Sequence, residues 1–185
     1  MVGISWTPGT GKKTIAPAVA ALLGLPPPIS INSLAPKGRA EVDPAQLRRK
    51  LLKMKPNRAV VYGHLLPHVL RKSEVGLVAV LRCEPSVLKG RLVKRGYPPG
   101  KVTENVEAEL IGVVLDECVS RFGRDRVREY DTTSSPPKDV AKAIARDARA
   151  ARRPPPAWMD WTLGYDSPSM LRSLLAGSEE PPAST

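Results

Sequence analysis

A chain of 185 residues is long enough to bury the core of one domain. It has no apolar run long enough for a transmembrane helix, and its basic residues follow the short apolar start rather than precede it, so neither a membrane span nor a cleaved leader is expected and the expected location is cytoplasmic. Lys and Arg total 29 against 18 Asp and Glu, a net charge of +11 that suits polyanionic partners (nucleotides, RNA, ribosomal particles) and equally suits a soluble, heat-adapted surface.

In chain order, Val2–Ser5 reads as a short buried strand. The turn after it runs Trp6-Thr7-Pro8-Gly9-Thr10-Gly11-Lys12-Lys13-Thr14. Strand, Gly-rich turn and helix in that order are the layout of a phosphate loop, G-x-x-x-x-G-K-[ST]. Gly11 and Lys12 are in place, Trp6 stands at the first Gly, and Lys13 stands at the hydroxyl. Lys12–Leu23 predicts a helix with Ile15, Val19, Leu22 and Leu23 on one side, a bend at Pro17 and a cap at Gly24. Ile29–Ile31, Ala59–Tyr62, Leu77–Leu81 and Val127–Tyr130 read as further strands. Pro44–Met54 is a basic helix, and Pro85–Arg95 is a helix followed by a Gly-Tyr-Pro-Pro-Gly turn. Thr103–Phe122 reads as one long helix, capped by Thr103 with Glu104, Glu107 and Glu109 toward its positive end. Pro137–Arg152 is the last helix of the domain. Alternating strands and helices predict an α/β fold, a five-stranded parallel sheet with helices on both faces. Residues 1–153 form this domain and 154–185 a partly disordered extension. Trp158, Trp161, Leu163 and Tyr165 are expected to dock on the domain or to bind a partner, and Glu179–Thr185 is expected to be disordered. Cys83 and Cys118 read as buried free thiols, with a disulfide as the alternative.

The site residues follow from this layout. Backbone N–H groups from Gly9, Thr10, Gly11, Lys12, Lys13 and Thr14 would cradle phosphates at a helix N-terminus. Lys12 would reach the β- and γ-phosphates. Lys13 has donors and no acceptor, so it cannot ligate a cation: either its ammonium replaces part of the Mg²⁺ charge, or it turns to solvent. Trp6 strains the loop if its position needs a special backbone angle, and otherwise points outward. Arg95 is the best phosphate fork in a lid segment at about 95–105. Arg82, at the carboxyl edge of a buried strand, is a candidate phosphate contact.

The ordered set of motifs over about residues 1–150 resembles the archaeal and eukaryotic adenylate-kinase-like NTPases of small ribosomal subunit maturation. The resemblance is carried by Trp6–Thr14, Tyr62-Gly63-His64, Val80-Leu81-Arg82, Arg95-Gly96-Tyr97, Glu104-Asn105 through Glu109, and Asp131-Thr132-Thr133. It implies a P-loop NMP-kinase fold with an NMP-binding region at about 30–45, ATP and Mg²⁺ as cofactors, and transfer of the ATP γ-phosphate to AMP or another NMP, with ATPase activity. It implies His64 close to the reacting phosphates, Asn32 near the NMP, and catalysis by Lys12, His64 and Arg95. It also implies a role in 30S maturation and 16S rRNA processing, with a small-subunit platform protein, and rRNA or the pre-30S particle, as partners. Tyr62 departs from the family's strand-end Asp, which holds Mg²⁺-bound water. A catalytically weakened nucleotide-binding escort for a ribosomal protein is the alternative, and simple RNA binding rests on charge alone.

Overall fold

The structure, a computed structural model, describes residues 1–35, 43–56, 58–150 and 158–176. Among them β1 (Val2–Trp6), β2 (Ile29–Ser30), β3 (Val60–Tyr62), β4 (Leu77–Arg82) and β5 (Val127–Asp131) form one parallel sheet in the order β2-β3-β1-β4-β5. The helices are α1 (Lys12–Leu23), α2 (Pro44–Lys53), α3 (Leu66–Val69), α4 (Pro85–Lys94), α5 (Pro99–Leu110), α6 (Val113–Phe122), α7 (Pro137–Arg149) and α8 (Pro168–Leu175).

β4 explains the unbroken apolar run of the sequence. Successive residues point to opposite faces, and both faces are covered. Leu77, Ala79 and Leu81 pack with Ile15, Ala16 and Val19 of α1 and with Val140, Ala141 and Ile144 of α7. Val78 and Val80 face Leu47 and Leu51 of α2, Leu66 and Val69 of α3, and Cys118 and Phe122 of α6. A third cluster joins α4, α5 and α8 through Leu88, Leu92, Val102, Val106 and Leu174.

α1 has the expected ends, with Gly24 left-handed at its C-terminus, but its buried stripe is Ile15, Ala16, Val19 and Ala20, and Leu22 is exposed. The helix runs on through Pro17, which lacks the N–H that would bond the Lys13 carbonyl.

The expected helix Thr103–Phe122 is two helices. The first begins at Pro99, so Thr103 is interior rather than a cap, and the second begins after Gly112. Gly112 has φ 72, a left-handed conformation that ends the ladder, and the Glu109 carbonyl accepts from the Gly112 N–H and from Arg82 Nη2 (2.9 Å).

α8 went unread in the sequence although Ser167 caps it and Pro168 opens it. Trp158, Trp161 and Tyr165 pack on the domain as expected, whereas Leu163 is 79% exposed. The cysteines are free and buried, with burial pushing Cys83 up to about 11 and Cys118 to about 12, so both are thiols at neutral pH. Residues 36–42 of the expected NMP region, the Pro154–Pro156 break and the Glu179–Thr185 tail lie outside the described residues.

Candidate phosphate-binding site

β1 lies at the centre of the sheet, and the strand order runs outward from it on both sides. In an open α/β sheet this is where ligands bind, at the carboxyl edge. The turns after β1, β3 and β4 meet there. Gly63, after β3, donates its N–H to the Ile4 carbonyl (3.1 Å), and Ser5 Oγ donates to the Gly63 carbonyl (3.3 Å).

The turn from Thr7 to Gly11 delivers the chain to the N-terminus of α1. Thr10 Oγ1 donates to the Thr7 carbonyl (3.1 Å), and Gly11, with φ 97, precedes the first helical residue, Lys12. Thr7 Oγ1 is buried and, among the described residues, is the one such side-chain atom without a hydrogen-bond partner. A buried hydroxyl left unpaired costs free energy that an arriving acceptor would recover. Nothing in the sequence distinguished Thr7 in this way.

Gly9 sets the approach of α4 to the loop. Its φ is 109, and a Cβ there would lie 2.4 Å from Leu88 Cδ1 and 3.2 Å from Leu92 Cδ2. Gly9→Ala is expected to cost about 2–5 kcal/mol of stability through backbone strain and overpacking, measured by urea denaturation.

Lys12 is half-buried, with its Nζ 4.6 Å from the centroid of the Trp6 ring. Such a contact contributes about 0.5–2 kcal/mol. The pKa of Lys12 is lowered first by burial and then by the charges of Lys13 and Arg95, so three cations converge on the loop. Trp6 fulfils neither alternative read from the sequence. It is an extended residue of β1 paired with Leu81, so its backbone is unstrained, and its side chain is 2% exposed rather than turned outward. Its ring lies 5.8 Å from that of Tyr62, tilted by 39°. The two aromatic departures from the motif pattern are therefore packing partners. Lys13 and Thr14 are exposed on the first turn of α1.

His64 follows β3 with one face in solvent, and Asn32 Nδ2 lies 3.4 Å from its Nδ1. A donor at Nδ2 requires Nδ1 to accept, which leaves the proton of the neutral ring on Nε2. Packing around the ring and then the Lys12 charge lower the His64 pKa, against a smaller opposing effect of Glu117. Neutral His64 is thus favoured at physiological pH. His68 is exposed and, with Glu117 and Arg121, lines a separate recess of about 590 Å³.

Arg95 ends α4, is exposed, and follows Leu88 and Leu92 on the face of the helix that meets Gly9. Its charge adds to that of Lys13 in lowering the Lys12 pKa.

Arg82 corrects the sequence reading. Its side chain points into the fold, where Nε donates to Glu109 Oε1 (2.6 Å), Nη2 to the Glu109 carbonyl (2.9 Å) and Nη1 to Glu129. At 1% exposure and with each of its three nitrogens donating to Glu109 or Glu129, it holds the sheet edge together and is not presented to a phosphate. Arg91, one turn before Arg95 on α4, donates to the carbonyls of Thr132 (2.8 Å) and Thr133 (2.7 Å). The cavity of about 360 Å³ beside Arg82, between the Gly112 break and Trp158, includes no residue of the loop.

The chain matches the family described as AAA domain over residues 2–112. It is 35% identical over 170 residues to the putative adenylate kinase of Natronomonas pharaonis, with 87% of this chain and 97% of that protein covered. It is 38% identical over 178 residues to the putative adenylate kinase of Methanothermobacter thermautotrophicus, covering 89% of this chain and all of that protein, 100%. The chain belongs to this adenylate kinase family. Among solved structures, a sulfotransferase from Alicyclobacillus acidocaldarius aligns with a TM-score of 0.51 at 11% identity over 94% of each chain, a likeness of fold alone.

Family membership brings Mg²⁺ into question at this site, and the donor set does not fit a protein-held ion. P-loop proteins hold Mg²⁺ through the loop hydroxyl and a strand-end Asp. Here those positions are an ammonium, Lys13, and a phenol packed on Trp6, Tyr62. Among the described residues no group of three or more His, Cys, Asp or Glu side chains could hold a metal ion.

Proposed function

We propose that this protein is an adenylate kinase-type phosphotransferase that moves the γ-phosphoryl group of ATP to a phosphate oxygen of AMP or another NMP, leaving ADP and a nucleoside diphosphate. The observation that carries this reading is the convergence of Lys12, Lys13 and Arg95 on a Gly9–Gly11 turn that opens α1. The N-terminus of a helix favours phosphate oxygens, and the clustered cations oppose the charge of the transferring group. Phosphoryl transfer needs little covalent chemistry from the protein; positioning and charge stabilisation suffice. α4, whose Leu88 and Leu92 lie against Gly9, would help exclude water. Neutral His64, positioned by Asn32, is suited to orienting a water or an acceptor oxygen beside the phosphates.

The support for ATP and an NMP as substrates is the family and the loop. The support for a part in small-subunit maturation and rRNA processing, with a ribosomal platform protein and rRNA or the pre-30S particle as cytoplasmic partners, is the ordered motif resemblance and the net charge of +11. Lys13 and Tyr62 favour a second reading, a nucleotide-binding escort with weakened catalysis.

Purified protein given ATP is expected to form ADP several-fold faster once AMP is added, measured by chromatography of the nucleotides. A rate indifferent to AMP would instead assign hydrolysis as the activity. ATP binding without any turnover would favour the escort.

A further inference from the structure

We propose that this site takes the nucleoside triphosphate free of metal, with its own cations in place of Mg²⁺, and that Lys13 and Tyr62 set this preference. The proposal rests on the phosphate loop binding ATP, as in the proposed function.

The charge balance of the motif carries it. Relative to the P-loop pattern, a neutral hydroxyl has become an ammonium at Lys13, and a carboxylate has become a phenol at Tyr62. Each exchange makes the site more positive by one unit, and together they equal the charge of one Mg²⁺. Neither new group can replace the lost ligand, because an ammonium accepts no hydrogen bond and ligates no cation.

The geometry shows that the exchange at 62 is integrated into the fold. Tyr62 stands against Trp6, with ring centroids 5.8 Å apart, and Lys12 Nζ lies on the Trp6 ring at 4.6 Å. In a site with the strand-end Asp, a carboxylate would serve as counter-charge to the loop lysine. Here an aromatic face stands against the lysine instead, and a π-face neutralises no charge. The groups that perturb Lys12 are its own burial, Lys13 and Arg95, all acting in the same direction, with no carboxylate among them. Among the described residues the loop thus presents concentrated positive charge with no acidic partner, which suits the full negative charge of a metal-free triphosphate. A magnesium-complexed triphosphate carries two fewer negative charges and would bring a cation toward Lys13.

Titration calorimetry with ATP in EDTA and in excess Mg²⁺ tests this. The native chain is expected to bind ATP in EDTA at least as tightly as in Mg²⁺. The double variant Lys13→Thr with Tyr62→Asp is expected to bind more tightly in Mg²⁺, by about tenfold or more. Lys13→Thr alone changes only an exposed residue of α1, keeps the test available if the double variant does not fold, and is expected to shift the ratio in the same direction. A native chain whose affinity falls about tenfold or more when Mg²⁺ is chelated would overturn the proposal while leaving the phosphate-loop reading intact. No ATP binding in either condition would overturn both. An unchanged ratio in the folded variants would remove Lys13 and Tyr62 as its cause.

Discussion

Lys12→Ala is expected to lower kcat/KM for ADP formation by about 10²–10³-fold, the scale on which removal of one preorganised electrostatic contact to a reacting centre acts. Lys12 is the half-buried member of the loop's cations, and its ammonium sits where α1 begins, so it would enter the phosphate cradle beside the helix N-terminus. In the resting site it lies on Trp6, and a bound triphosphate would draw it from that ring toward oxygen. The fold loses little by comparison. The contact with Trp6 is worth about 0.5–2 kcal/mol, and removing Lys12 also relieves its repulsion with Lys13 and Arg95. The variant should therefore melt within a few degrees of the native chain while losing activity, read by calorimetry and by nucleotide chromatography on the same preparation. Lys12→Arg should not restore full activity, because a planar fork on a different stem does not reproduce a compact point charge. An inactive Lys12→Ala that still captured a ribosomal partner would support the escort role. A fully active variant would show that Lys13 and Arg95 supply the charge without it.

The order of elements was legible because local signals agreed with the packing. Lys12–Leu23 lies between a Gly-rich turn and Gly24, and β4 had to be a strand covered on both faces, since neither face of its apolar run could meet water. The phosphate loop was legible from its glycines and Lys12, despite the altered first and last motif positions. What escaped notice depended on tertiary partners. The break at Gly112 was hidden because a single Gly inside an apolar period is usually tolerated in a helix. It breaks here where Arg82 Nη2 takes up the Glu109 carbonyl, a partner 27 residues distant. The same contact explains why Arg82 was misread. Its position at a strand end suggested a ligand, whereas its side chain turns inward to two carboxylates. Trp6 was opaque for a related reason: whether a large ring at a glycine position strains or packs depends on the residue at 62, on another strand. The starts of α5 at Pro99 and α8 at Pro168 did have a local signal, proline at the first helical position.

Arg82→Ala is expected to destabilise the fold by about 3–5 kcal/mol, the cost of removing one partner from a buried ion pair, against a total stability of about 5–15 kcal/mol for a domain. Arg82 is 1% exposed and joins three parts of the molecule: β4 itself, the C-terminal end of α5 through Glu109, and β5 through Glu129. The network continues outward. Glu109 Oε1 also accepts from the Cys83 N–H (3.0 Å) and Trp161 Nε1 (3.3 Å), and Glu129 Oε2 accepts from the Met159 N–H (2.7 Å). Losing the guanidinium would leave two carboxylates in a dry site and loosen the segment from Trp158 to Leu175 as well as α5. Acid should relieve part of the loss. Burial already holds the Glu129 carboxyl above its ordinary range in the native protein, and without Arg82 it would rise further. A group whose folded pKa is raised contributes stability below its unfolded pKa and loses it as pH rises through the folded value. The deficit of Arg82→Ala relative to the native chain should therefore be smaller near pH 5 than near pH 8, measured by urea denaturation at both. Replacing Arg82, Glu109 and Glu129 together by apolar residues of similar volume should recover only part of the stability: an apolar set leaves no buried charge unpaired, but the Cys83 and Met159 N–H groups and Trp161 Nε1 lose their acceptors. If Arg82→Ala instead kept native stability at pH 8 but lost affinity for AMP, Arg82 would belong to the acceptor site after all.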